Sequence, residues 1–170
     1  MNYYDFSVPV FVNTLTALKN VLAKGEAFAK EQGISEADML GLHFGADMFP
    51  LVKQVQVATD QAKGAASRLT GKENPKYEDT ESTFAELYAR LDKTIAHLNT
   101  FTPEDFANAA TATVTIPYFP GMHLTGDTYL RFYVNPNFFF HVTTAYDLLR
   151  NKGVLIGKAD FAGNVPFIKD

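Results

Sequence analysis

NPNFFFHVTTAYDLLR (residues 135–150) decides how the chain is read. Three consecutive phenylalanines, Phe138, Phe139 and Phe140, precede His141, and Tyr146 and Arg150 follow. No other stretch is as aromatic, and none sets a histidine so deep among apolar neighbours. It predicts the core of a last long helix running from about residue 126–128 to 151–153. Asn151 and Gly153 are the stop signals. Pro136 falls inside that helix and predicts a kink, with a split into two pieces as the other outcome.

Working outward, three more long helices carry an apolar stripe at helical spacing. The first runs from Asp5 or Ser7 to about Glu31, with Phe11, Leu15, Leu18, Leu22 and Ala29 on one face and Gly33 as its stop. The second spans about residues 48–69, with Leu51, Val55, Ala58, Ala62, Ala65 and Leu69 inward and Asp47 as cap. Small residues crowd its second half, which predicts a close helix–helix approach. The third spans about residues 80–99, capped by Asp79 or Thr80, with Glu81 in its first turn. Its stripe is Phe84, Leu87, Leu91, Ile95 (or Thr94) and Leu98. Glu86 and Arg90 stand four apart and read as a surface ion pair.

Shorter signals fill the gaps. Ser35 opens a short helix over residues 36–45. Thr102 and Pro103 begin a single helical turn. TATVTIPYF (residues 111–119) alternates as a strand, and residues 122–125 return beside it after Pro120-Gly121. Pro117 keeps that strand at an edge or ends it. The tail after Gly153 reads as an irregular docked extension. These elements predict one domain over residues 1–170. It is all-α, an up-and-down four-helix bundle with a short helix after the first and a β-hairpin before the last.

Composition narrows the function classes. At 170 residues, roughly 70% of the unfolded surface is available for burial. The formal charge is −4 and the lysines never form a run, so no nucleic-acid partner is expected. There is no cysteine, which removes disulfides, thiolate nucleophiles and Cys-based zinc sites and fits a cytoplasmic protein. Neither a targeting segment nor a run of about 20 apolar residues is present, so no membrane association is expected.

The candidate site is sought on the opening stretch. Asn137 and His141 are four apart and share a face. His141 is either a core histidine with its hydrogen bonds met or a metal or substrate contact. Asn137 is its partner or a cap after Pro136. Asp47 and Gln54, seven apart on the second long helix, form a second constellation. His43, His97 and His123 are dispersed, with no HxxxH or HExxH spacing. No GxSxG or phosphate-loop pattern occurs. Tyr118, Phe119, Tyr129, Phe132 and Tyr133 flank the hairpin as packing or as a subunit interface.

ADMFPLVKQVQVATDQAKGAASRLTG (residues 46–71), EDTE (78–81) and the stretch from Asn135 to Phe161 resemble a bacterial family of domains of unknown function. That family is grouped with the DinB/YfiT-like four-helix bundles, and the resemblance covers nearly the whole chain. It implies the bundle fold and, in the wider superfamily, a divalent metal on three histidines for thiol-transferase, isomerase or hydrolase chemistry. Laid on this chain, those positions fall near Gln54 and on Asn137 and His141, so one histidine of three is present. The resemblance thus makes His141 the one expected metal ligand, with Asn137, Gln54 and Asp47 beside it. The residues fit three functions: a small-molecule binder between the second and fourth long helices, with His141, Asn137, Gln54 and Asp47 as ligand-binding residues; a metal-dependent transferase or hydrolase with a reduced ligand set; or a structural homodimer.

Overall fold

The computed structural model describes residues 2–168. The chain is mostly helical. Its described residues form seven α-helices, two short 3-10 turns, a π-helical segment and one two-stranded hairpin.

Helix α1 (Val8–Gln32) has Pro9 in its first turn, where a missing N–H costs nothing, and ends on Gly33 at φ 64°. Its predicted stripe from Phe11 to Ala29 is buried throughout. Helix α2 (Glu36–Leu40) is capped as expected, with Ser35 Oγ accepting the Asp38 N–H at 3.1 Å, but stops well short of residue 45.

Helix α3 (Leu51–Thr70) begins three residues later than predicted. Pro50 disfavours helical geometry at Phe49, so the helix starts only beyond the proline. Asp47 therefore caps nothing and sits exposed in the preceding loop. Ala58, Ala62, Ala65 and Ala66 are fully buried. These short side chains let α4 (Phe84–Leu98) and α6 (Asn135–Lys152) pack on α3, while α1 packs on α4 and α6.

Helix α4 also starts late, capped by Thr83. Glu86 does not pair with Arg90. It turns back to accept from the N–H groups of Ser82 and Thr83, completing a capping box. Arg90 is instead fully buried. Its guanidinium meets Glu81 at 3.0 Å, Asp60 at 3.1 Å and Asp79 at 3.0 Å, and its Nε donates to Thr59 Oγ1 at 2.7 Å. The segment between α3 and α4 is thereby clamped over both helices. Tyr77 in that segment lies under Lys93, 3.8 Å from the ring centroid.

The hairpin pairs β1 (Thr113–Thr115) with β2 (His123–Thr125), Val114 opposite Leu124. It is shorter than the predicted strand because Pro117 cannot continue the ladder. Gly126 then meets the Ala109 carbonyl so closely that a Cβ there would lie 1.8 Å from the oxygen. Helix α5 (Gly126–Thr128) passes directly into a π-helical turn (Tyr129–Val134) and then α6. The split at Pro136 does not occur, since Asn135 opens α6 instead of ending a helix; the irregularity is the π turn just before it. The Asn135 N–H reaches five residues back to the Leu130 carbonyl, and Pro136 stands in the first turn of α6. The tail holds a helix that the sequence reading missed, α7 (Lys158–Ala162), packed on α1 and tied to it by Asn13. No helix among the described residues is long and apolar enough to cross a membrane.

Candidate functional site

The seam between α3 and α6 brings Gln54 and His141 together across 87 residues of chain. His141 Nδ1 and Gln54 Oε1 are 2.7 Å apart, and Gln54 Nε2 donates to the Phe49 carbonyl at 2.9 Å. Gln54 is 1% exposed and His141 8%. A carbonyl only accepts, so the amide nitrogen must face Phe49 and the amide oxygen must face His141. An amide oxygen also only accepts, so Nδ1 carries the hydrogen. Burial holds the imidazole below its ordinary value, so the ring is neutral near pH 7. Nε2 is then an unprotonated nitrogen with no protein hydrogen bond. The arrangement offers an acceptor or a proton-accepting nitrogen whose ring orientation is fixed from behind.

The other two predicted residues are not brought to this nitrogen by any hydrogen bond. Asn137 shares the His141 face but spends its amide on the Tyr133 carbonyl, 2.6 Å away, where the π turn joins α6. Asp47 stays in the exposed loop. A resident divalent ion of the kind the superfamily implies does not fit this donor set. Gln54 and Asn137 are committed elsewhere, and neutral amides are poor ligands for such ions. No group of three His, Asp or Glu residues capable of holding a metal occurs among the described residues.

A second feature lies at the other end of the seam, where the hairpin covers the π turn. An apolar cavity of about 340 Å³ is lined by Val114, Ile116, Phe119, Leu124, Phe132 and neighbours. Tyr129, grouped by sequence with the aromatic flank, is instead fully buried and stacks on Tyr133 at 5.8 Å. Tyr118, Phe119, Met122 and Phe132 remain exposed. Sequence reading named these aromatics without finding the cavity, because its walls come from a hairpin and a π turn whose juxtaposition has no local signature.

The chain is similar to a crystallised DinB family member protein from Shewanella denitrificans. They share 40% identity over 98% of this chain and 95% of that one, with a TM-score of 0.94. No curated protein matches it. Residues 3–162 match the family model described as "Domain of unknown function (DUF1993)". The chain therefore belongs to the DUF1993 family, an uncharacterised family of DinB-like domains.

Proposed function

We propose that the four long helices form an up-and-down bundle of the DinB kind. In this reading the bundle binds a small molecule at the α3–α6 seam, with His141 Nε2 as its polar anchor. The observation that carries this reading is the fixed imidazole. A buried Gln–His pair gains the fold little over an apolar pair of the same shape. Here the glutamine holds the ring so that one nitrogen stays unpartnered. Exposed Phe140, next to His141 in sequence, and exposed Phe49, whose carbonyl accepts from Gln54, supply an apolar rim. Asn137, one turn before His141, and Asp47, two residues before Phe49, are the polar residues proposed beside that rim.

The test is an NMR screen of small N–H and O–H donors against protein labelled with ¹⁵N in its histidines. A binder is expected to move the His141 Nε2 resonance and to weaken at least about tenfold on His141→Phe. Binders that leave that resonance unmoved and bind His141→Phe equally well refute the reading. A second reading, association of two copies through the hairpin, is favoured by the 85% exposure of Tyr118 beside exposed Met122 and Phe132. Light scattering is expected to show the mass doubling with concentration. A constant monomer mass removes this second reading.

A further inference from the structure

We infer that the cleft between the C-terminal end of α3 and the hairpin is a separate binding site for a small carboxylate with an apolar body, anchored by Arg68. The inference is independent of the His141 reading. Arg68 lies fourteen residues beyond Gln54 on α3, about 21 Å at a rise of about 1.5 Å per residue. Its partner Tyr129 likewise lies twelve residues before His141.

The first support is charge. The chain carries 15 Lys and Arg against 19 Asp and Glu. Arg90 meets three carboxylates and Arg131 meets Asp127, while Arg150 is exposed to water. Arg68 is half-buried and has no carboxylate partner among the described residues. It makes one side-chain bond, from Nη1 to the Tyr129 hydroxyl at 3.1 Å. Most of its five donors are unspent, in a group made for bidentate carboxylate recognition.

The second support is positioning. Gly64 sits one turn earlier on α3, and a Cβ there would lie 2.2 Å from Arg68 Nη1. The guanidinium thus lies on bare helix backbone, held from below by Gly64 and from the side by Tyr129. Burial pushes the Tyr129 phenol up, so it stays protonated near neutral pH. Its oxygen accepts from Arg68, so the fully buried phenol fixes the guanidinium from behind and leaves the other N–H groups of Arg68 to the ligand.

The third support is the space in front of the guanidinium. A cleft of about 590 Å³ has Arg68, Thr113, Thr115 and the hairpin tip as walls, and none of its lining residues is a carboxylate. It shares Ile116, Phe119, Met122 and His123 with the 340 Å³ apolar cavity. An aromatic row leads from one to the other: Tyr129 stacks on Tyr133, and Tyr133 meets Phe119 edge-on at 6.4 Å. A single cation beside an apolar chamber matches a monoanion with a hydrocarbon or aromatic body.

The probes are phenylpropanoate and its neutral amide, titrated into the full chain by calorimetry and amide-detected NMR. The carboxylate is expected to bind at least about tenfold more tightly than the amide, with shifts at the hairpin and Tyr129 and none at His141. Arg68→Gln is expected to abolish that preference. Because the exchange also strips Tyr129 of its partner, Thr115→Glu provides a second variant. It sets a carboxylate in the cleft from within and is expected to block phenylpropanoate, whereas Thr115→Gln does not. Equal affinity for acid and amide, absence of saturable binding by the acid, or shifts confined to the His141 end would each overturn the inference. Binding that survives Thr115→Glu unchanged would do the same.

Discussion

Replacing Arg90 by leucine tests whether the buried cluster is a clamp or a decoration. Removing one partner of a buried ion pair costs about 3–5 kcal/mol when it leaves a charge uncompensated. The structure decides where in that range the change falls. Asp60 keeps Lys63 at 3.1 Å, and Asp79 keeps its bond to Lys53. Glu81, with a side chain only 9% exposed, keeps just the Gln56 amide at 2.9 Å. One orphaned carboxylate of three puts the loss near the lower end, about 3 kcal/mol. For a chain of this size each kcal/mol moves the melting temperature by about 2–4 °C, so the expected drop is about 6–12 °C. Urea unfolding followed by circular dichroism measures the free-energy loss, and thermal melting measures the drop in temperature. Adding Glu81→Leu removes the orphan, so the double variant is expected to be more stable than Arg90→Leu alone. The reasoning fails if Arg90→Leu costs under about 1 kcal/mol, or if the two losses add, since groups in one network couple by about 0.5–3 kcal/mol.

Gln54→Leu leaves the His141 Nδ1–H unpaired and is expected to cost about 1–3 kcal/mol. It should also let the ring sample both tautomers, visible in its ¹⁵N shifts; an unchanged single tautomer contradicts the role given to Gln54. Burial lowers the value of His141, and burial together with Lys63 lowers that of His97. The unfolded chain therefore takes up protons first as the pH falls. Their contribution is whole above about pH 6.5, declines below it, and is gone once the folded-state values are passed. Urea midpoints across this window should fall toward acid, and replacing both histidines by glutamine should flatten the fall; an equal fall in the variant refutes the assignment. Gly126→Ala drives a Cβ into the Ala109 carbonyl and is expected to cost about 3 kcal/mol or more. Gly25→Ala meets only the movable end of Leu149 at 2.9 Å and should cost less, and calorimetric melting ranks the two. Thr83→Ala removes the α4 cap and should cost about 1 kcal/mol by the same assay.

The long helices were legible because periodicity is a local record of burial. Phe11, Leu15, Leu18 and Leu22 were assigned inward by spacing alone, and all are buried. The polar residues were harder, since each has several partners within reach. Glu86 stands four before Arg90, which suggested a pair, yet Thr83 and Glu86 also spell a capping box. The backbone donors at the helix start won the glutamate, and Arg90 was left to three carboxylates from two other segments. The Gln54–His141 contact was legible only as two residues on facing helices, and its hydrogen-bond sense required Phe49. Arg68 had no signal beyond its charge. What distinguishes it is a half-buried guanidinium with no carboxylate partner among the described residues, a combination that only the folded chain defines.

The π turn between Tyr129 and Val134 has a consequence for the phase of the helix on either side of it. One residue above α-helical count rotates everything before the turn by about 100° relative to everything after it. The turn works as a vernier, letting Tyr129 meet Arg68 while His141 meets Gln54 on the same partner helix. Deleting Arg131 would restore an unbroken α-helical count. Only one end could then keep its alignment, so the deletion should break one of these contacts while sparing the other.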